Sequence, residues 1–536
     1  HTRYVTAALA TTVFLISYAV LSGNGVSTQR AVGMCLIYLF ADVTGYAYDM
    51  LNALGIVVLV LLWENPFLLS YSGFVFSVIA IGVGANVLLE WEHSWKRRQQ
   101  AGEETIKKTF FSRQKEGILV SFAIQLFTIP LVAYSYYEIP VYAMLINLFV
   151  LAVVNGLLGL TVLGVIVGMA FLPAGRVLFA PCGWMLDSYR FLCEVSLKIP
   201  GAQRITGKPA HMRIFWYYLG LGVFLLAIYA CARRNEKHKD CRETADLCVS
   251  RRKKRLQGIV FSCFIAFLLL FLLFPQKKSF EIDFLDVGQG DGIYLCTGGG
   301  TSMFIDGGST DVKQVGKYRI LPFLKAKGVS EISYWFVSHT DTDHVSGLKE
   351  VLVSGYRVEY LVFAKAVEKE AKTKELAELA RSHGTKVFYM QAGDTVRSKR
   401  AAMRCLYPKA SDKAEDVNDL CLVLQFEEGD IRALFGGDIS TDVEEQLSRR
   451  EKWDKVLIFK ADHHGSRYAN AEALLKCIRP EITVASAGKD NRYGHPSPDA
   501  VQRIKESGSR FFCTIEGGRI RVRVIENKLV CETYVK

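Results

Sequence analysis

Six consecutive residues, His339-Thr-Asp341-Thr-Asp343-His344, carry four groups able to bind a metal ion. They follow an apolar strand pattern, Ile332 to Val337, and Ser338, so they fall on a turn at a strand end. A structural core rarely collects carboxylates in such a turn, because burying an unpaired charge is costly. Bound cations explain the clustering better than the alternative of a solvated acidic turn. A calcium loop is excluded: two histidines are poor calcium ligands, and the glycine needed at the sixth loop position is absent.

Two further segments have the same layout. The strand pattern Arg432 to Phe435 runs into Gly436-Gly437-Asp438, and Val456 to Phe459 runs into Ala461-Asp462-His463-His464-Gly465-Ser466. Four of the ten histidines in the chain lie in these two His-containing clusters. A carboxylate at one strand end and an imidazole at the next are what a two-metal site requires, an anion able to bridge and nitrogens to close the coordination. Upstream, alternating residues Phe280 to Val287 lead into Gly288-Gln-Gly-Asp291-Gly292, and a second strand ends in Ile305-Asp306-Gly307-Gly308. A strand followed by a glycine-rich turn is common, and each of these alone is a weak signal.

His339 to His344 resembles the metallo-β-lactamase superfamily signature His-x-His-x-Asp-His, with Asp341 in place of the second histidine. The resemblance implies that His339 and Asp341 hold one metal and Asp343 and His344 the other. Asp438 would bridge them and His463 would complete the second site, the choice between His463 and its neighbour His464 as that ligand being left open. Asp306 would order the site without coordinating. The superfamily's third-motif histidine has no counterpart, since His383 follows a helical segment. An oxygen-rich first site favours Mn²⁺ or Mg²⁺ over Zn²⁺ for the two divalent ions.

The elements that must position these residues occupy only part of the chain. Of 536 residues half are hydrophobic and 22% charged, and nearly all the long uncharged runs precede Pro275. Composition predicts a polytopic α-helical membrane domain over residues 1–275 and an α/β domain over 279–536, for which the resemblance implies a metallo-β-lactamase-like αββα sandwich. Runs long enough to span a bilayer, about 20 apolar residues, begin near Tyr4, Ser72, Ile118, Tyr142, Ile214 and Ile259. Ala31 to Val43 and Ala53 to Trp63 are shorter and read as broken or re-entrant segments. Tyr142 to Leu172 is too long for one crossing and reads as a tight hairpin. Phe179 to Lys198 carries Asp187, Arg190 and Glu194 at helical spacing, as an interfacial amphipathic helix or a helix packed across a bundle would.

The formal net charge of +12 is concentrated in Lys96 to Lys115 and in Arg233 to Arg255, which holds ten Lys and Arg. Loop-charge asymmetry puts such stretches on the cytoplasmic side. The last helix, Ile259 to Phe274, then runs outward and leaves the C-terminal domain outside the cytoplasm. The thirteen cysteines are scattered, with no CxxC pair, and say little about redox compartment. The chain opens at His1 without a signal peptide, as a fragment would.

Phe284-Leu-Asp-Val-Gly-Gln-Gly-Asp291, Asp462-His-His-Gly-Ser466 and Asn491-Arg-Tyr-Gly-His-Pro-Ser-Pro498 follow a membrane half that contains Ser27-Thr-Gln-Arg30 and Asn52-Ala-Leu54. In combination they resemble the ComEC family of natural competence, apparently without its N-terminal region. The resemblance implies that the membrane domain imports one DNA strand while the outer domain, a metal-dependent nuclease, degrades the other. It also implies other competence proteins as partners.

His495 and Asn418, in family-typical segments, are expected to contact substrate or support the ligands, with structural roles as the alternative. Asp343 and Asp438 would orient the attacking water, and His464 or His495 would assist the leaving group. Arg519, Arg521 and Arg523 alternate along one strand and offer a basic face to DNA, unless that face is simply solvated. Two rivals remain: a DNA channel whose soluble domain binds without cutting, and a membrane-tethered hydrolase of another ester.

Overall fold

The computed structural model describes residues 2–84, 110–239, 247–274, 278–414, 416–526 and 528–535. The chain divides into two compact units, His1–Phe274 and Pro275–Lys536. Part of each basic stretch, residues 96–109 and 240–246, lies outside the described residues.

The first unit is helical: α1 (Thr2–Leu21), α2 (Val26–Thr44), α3 (Met50–Glu64), α4 (Ser72–Gly84), α5 (Phe110–Tyr136), α6 (Ala143–Ala170), α7 (Leu172–Lys198), α8 (His211–Lys239) and α9 (Leu247–Leu272). Among the described residues one stretch, Tyr4–Leu21 of α1, is long and apolar enough to cross a membrane. The apolar parts of α3, α4, α5, α6, α8 and α9 are shorter, at 10–17 residues.

Two expectations change. Tyr142 to Leu172 is not a hairpin, because Asn155 and the glycines are accommodated in the single 28-residue helix α6. The reversal comes at Phe171, and α7 then lies against α6 so closely that a Cβ on Gly175 would stand 2.5 Å from the Gly168 Cα. Nor are the runs at Ala31 and Ala53 broken; they are the unbroken helices α2 and α3, joined through a cluster of Met34, Leu54, Val57, Leu61 and Phe74. Within α5, Pro130 lacks the N–H that would bond the Leu126 carbonyl. Tyr217 of α8 donates its hydroxyl to that carbonyl at 2.9 Å, and Tyr218 donates to Phe127 O at 2.7 Å. A short ladder of β1 (Glu138–Pro140) and β2 (Gln203–Ile205) completes the unit.

The second unit is a four-layer αββα sandwich. Its first sheet is built from β3 (Glu281–Phe284), β4 (Gly292–Cys296), β5 (Ser302–Asp306), β6 (Glu331–Phe336), β7 (Arg357–Ala364) and β8 (Lys386–Met390). The second contains β9 (Thr395–Ser398), β10 (Ala401–Tyr407), β11 (Val423–Glu428), β12 (Ile431–Phe435), β13 (Ile458–Lys460), β14 (Ile482–Ala485) and β15 (Arg510–Cys513). The last two strands, β16 (Ile520–Ile525) and β17 (Lys528–Thr533), return to the first sheet. The orders are β17-β16-β3-β4-β5-β6-β7-β8 and β15-β14-β13-β12-β11-β10-β9.

Each sheet has an antiparallel part and a parallel part, β5 to β8 in the first and β12 to β15 in the second. The period-2 alternation of strand side chains builds the layers. On β5, Met303 and Ile305 join the core between the sheets while Phe304 faces the helices; on β7, Val362 and Leu361 divide in the same way. Helices α10 (Leu321–Ala326), α11 (Thr342–Val353) and α12 (Ala371–Ser382) cover one sheet. The other is covered by α13 (Thr441–Arg450), α14 (Glu472–Ile478) and α15 (Pro498–Glu506). The parallel strands β5, β6, β12 and β13 all deliver their C-terminal ends to one edge of the sandwich, where the ligand-type residues of both sheets meet.

Candidate metal centre

From the first sheet come Asp306 at the end of β5 and Ser338 and His339 just past β6. The chain then enters α11, whose first turn carries Asp343 and His344. An anionic side chain in the first turn of a helix is favoured by the helix dipole. The glycine-rich loop after β3 lies against this turn with almost no space. A Cβ on Gly290 would stand 2.5 Å from the Asp343 carbonyl, which accepts from the Asp291 N–H at 3.1 Å. From the second sheet come Asp438 past β12 and His463 and His464 past β13. Both histidines hold left-handed backbone, with φ of 48° and 55°. A non-glycine residue held there costs about 1–3 kcal/mol, a strain characteristic of functional sites.

Two groups of side chains converge. Asp291, His344, Asp438 and His464 place ligand atoms within 4.8 Å of one another, as do His339, Asp343 and His344. His344 Nδ1 donates to Asp306 Oδ2 at 3.0 Å, and His464 Nδ1 donates to the Ser486 carbonyl at 3.0 Å. With each Nδ1 anchored on an obligate acceptor, each Nε2 is directed inward. His344 Nε2 lies 3.4 Å from Asp438 Oδ2, and His464 Nε2 lies 3.4 Å from Asp438 and 3.6 Å from Asp343. Both Nε2 atoms and Asp438 Oδ1 are buried with no hydrogen-bond partner. Orienting a metal-binding imidazole through its second nitrogen is the usual support for such a ligand, and orphaned polar atoms at this depth call for a partner. The donor set therefore fits a divalent cation.

The electrostatics agree. Burial works against charge on His464, but Asp438 and Asp291 raise it to about 9. His344 is raised as well, against burial, by Asp438 and Asp306. Asp438 is lowered against burial by His464 and His344, and Asp343 by His464 and His344. His339 moves the other way, to about 4, through burial and the nearby His344. The site thus attracts positive charge, which protons supply when no cation does.

Several placements differ from expectation. His464, fully buried, sits in the cluster in the place expected for His463; the His463 side chain is 31% exposed, with Nε2 3.8 Å from Asp438 Oδ2. The two consecutive left-handed residues turn the second ring inward and the first toward the surface. Asp341 belongs to neither group. Its Oδ2 nevertheless lies 3.9 Å from Nε2 of His339, its expected partner, while its Oδ1 is 2.8 Å from the Lys372 ammonium of α12. Asn418 lies on a short turn that caps locally on Asp416, and Cys421, three residues on, is the member of that segment that reaches the site. Its Sγ lies 3.4 Å from His339 Nδ1 and accepts from the Asp438 N–H at 3.4 Å.

The arginine row, expected as a basic face, is paired with acids. β16 pairs with β3, so Arg519 and Arg521 meet Asp283 at 3.3 and 3.2 Å, and Arg523 bonds Glu532. His495 lies at the mouth, its ring 5.6 Å from His463, and is lowered to about 4 by burial, His464 and His463.

Lys460 and Asp291 did not emerge as site residues from the sequence. Lys460 closes β13 with its ammonium fully buried, 2.5 Å from Asp291 Oδ2 and 4.0 Å from Asp438 Oδ1. Burial lowers its pKa, but Asp291 and Asp438 more than reverse this. A lysine closing the apolar run Val456 to Phe459 was the available signal.

The Competence protein family matches residues 1–230. ComE operon protein 3 of Bacillus subtilis is 25% identical over 95% of this chain and 63% of its own length. Recombination protein 2 of Haemophilus influenzae is 24% identical over 96% of this chain and 63% of its own. This chain thus spans under two thirds of either relative. Among solved structures, the metallo-β-lactamase fold protein YhfI from Bacillus subtilis matches 45% of this chain and 100% of its own, at 11% identity and a TM-score of 0.32. Zn²⁺-bound PqqB from Methylobacterium extorquens matches 43% and 87%, at 11% identity and a TM-score of 0.28. The competence match thus falls on the helical unit, while these two relatives align along nearly the whole chain.

Proposed function

We propose that the protein carries one strand of DNA across the cytoplasmic membrane during natural transformation, and that its second unit is a divalent-metal phosphodiesterase that degrades the other strand. The observation that carries the enzymatic reading is the convergence of His344 Nε2, His464 Nε2 and Asp438 Oδ1, buried and without hydrogen-bond partners, from two sheets at one edge of the sandwich. Similarity to competence proteins supports DNA as the substrate class.

His339, Asp343, His344, Asp438 and His464 would hold the cation or cation pair. When bound, it supplies Lewis acidity, neutralising phosphoryl oxygens and making water acidic enough to attack near neutral pH. Asp343 and Asp438 would orient the attacking water. Asp306 and the Ser486 carbonyl keep the imidazoles turned inward, and Lys460 holds Asp291 beside them while adding a fixed positive charge. His463 and His495, at the mouth, would meet the substrate. Too few imidazoles converge for an all-nitrogen site, which favours Mn²⁺ over Zn²⁺.

The first unit would be a multi-pass channel with the second unit on the outer face, as the basic Arg233–Arg255 segment ahead of α9 implies. Side chains such as Trp63, 93% exposed, and Met169, 86% exposed, suit a lipid surround better than water. Other competence proteins would deliver the DNA.

The test uses the full chain in detergent micelles, stripped with chelator and reloaded with one metal at a time. Single-stranded DNA should be cut with Mn²⁺, more slowly with Zn²⁺, and not in chelator. Absence of cutting with every metal at full occupancy would overturn the nuclease reading; equal rates with Zn²⁺ would overturn the metal preference.

A further inference from the structure

Three rings lead from solvent to the metal centre. Tyr493 is 54% exposed. Its ring centroid lies 5.7 Å from that of His495, with the planes 23° apart, and His495 lies 6.2 Å from His464, with planes 28° apart. The rings form a stepped column of nearly parallel faces that ends on a candidate ligand. The Arg492 guanidinium lies 5.6 Å from the Tyr493 centroid. The arrangement recurs on the loop that carries His463 and His464, where Tyr468 is 72% exposed and Arg467 stands 5.9 Å from its ring. A cavity of about 990 Å³ is lined by His495, Lys505 and Phe511 together with Asp490, Glu506 and Glu516. A polar hollow of about 190 Å³ next to Tyr493 includes Lys489 and Arg492 with Asp311 and Asp490.

An exposed tyrosine under an arginine is ordinary on a surface. A tyrosine that begins a ring column ending at the candidate metal centre, beside a hollow that includes Lys489 and Arg492, has the form of a stacking platform. Base faces are covered by their neighbours in a duplex, so only an unstacked base can lie on such a ring, and it does so with little regard to sequence.

We infer that the Arg492–Tyr493 pair is a base-stacking platform through which the site selects single-stranded nucleic acid, with Lys489 placed to meet a flanking phosphate. This rests on the reading of the centre as a nucleic-acid phosphodiesterase. Its test is therefore a binding measurement that needs no turnover.

The full chain in detergent micelles, with chelator present, is titrated with a single strand carrying 2-aminopurine and with the same strand made abasic. The native protein should quench the fluorescent base and bind the base-bearing strand about 10-fold tighter than the abasic one, the scale of one aromatic stack. Tyr493→Leu should bring that ratio close to unity, and Tyr493→Phe, which keeps the ring, should retain it. Equal affinity of the native protein for both strands, or a ratio unchanged in Tyr493→Leu, would overturn the platform whether or not the metal-loaded enzyme cuts DNA. Cutting without a base preference would leave the phosphodiesterase reading standing and remove only this inference.

Discussion

The two units distribute apolar and ionisable groups in opposite ways. In the second, Phe284, Trp335, Phe426 and Phe459 are fully buried in cores on both sides of each sheet, and most of the buried acids gather with the buried histidines and lysine at one edge. In the first, the buried apolar clusters are small, while Leu9, Val13, Trp63 and Met169 project outward from their helices. Burying apolar surface is worth about 25 cal/mol per Å² only when the alternative is water. The second unit has the profile of a fold driven by that term. The first has the profile of one whose contacts are backbone hydrogen bonds and close helix packing, such as the Gly168–Gly175 crossing and the Tyr217 hydroxyl on Leu126.

The largest expected effect tests whether this contrast is one of solvent. Protease added to intact protoplasts should remove the second unit completely while leaving the first in the membrane; protection until lysis would reverse the proposed orientation.

Next in size, Trp335→Ala should destabilise the second unit by about 3–5 kcal/mol. Its ring stacks on Phe304 at 4.3 Å, and its indole N–H donates to the Asp306 carbonyl at 2.6 Å. Trp63→Ala in the first unit should leave thermal unfolding in micelles nearly unchanged, and matching losses at the two tryptophans would erase the contrast. Asp343→Ala should lower DNA cutting by more than about 100-fold, since loss of a metal-binding carboxylate exceeds loss of a single electrostatic donor. It should leave folding intact, because the cores lie away from the strand ends. Wild-type rates with unchanged metal content would displace the active site.

The smallest effect belongs to the helical unit. Tyr217→Phe removes the donor that satisfies the Leu126 carbonyl freed by Pro130 and should cost about 1 kcal/mol. A silent substitution would mean that the carbonyl finds another partner.

What the sequence by itself determined is local. Alternation and the residues that end each run located β5, β6, β12 and β13 to within a residue or two. The clustering of Asp and His in the following turns marked the edge at which they meet, because strand periodicity and turn composition act over a few neighbours. What only the tertiary structure decided is which of those groups meet. His463 and His464 are adjacent and chemically identical, and the backbone alone turns His464 inward. Asp341 is two residues from Asp343, yet α12, folded back from 31 residues on, sets Lys372 against one of its oxygens while the other stays 3.9 Å from His339 Nε2. The arginines of β16 read as a free basic face until the pairing with β3, 238 residues earlier, sets Arg521 against Asp283. Lys460, Asp291 and Cys421 come from three separated segments, and no spacing along the chain foretells their meeting. The folded backbone fixes these contacts, since distances between side chains on different strands depend on sheet register and layer packing, which short-range sequence patterns do not encode.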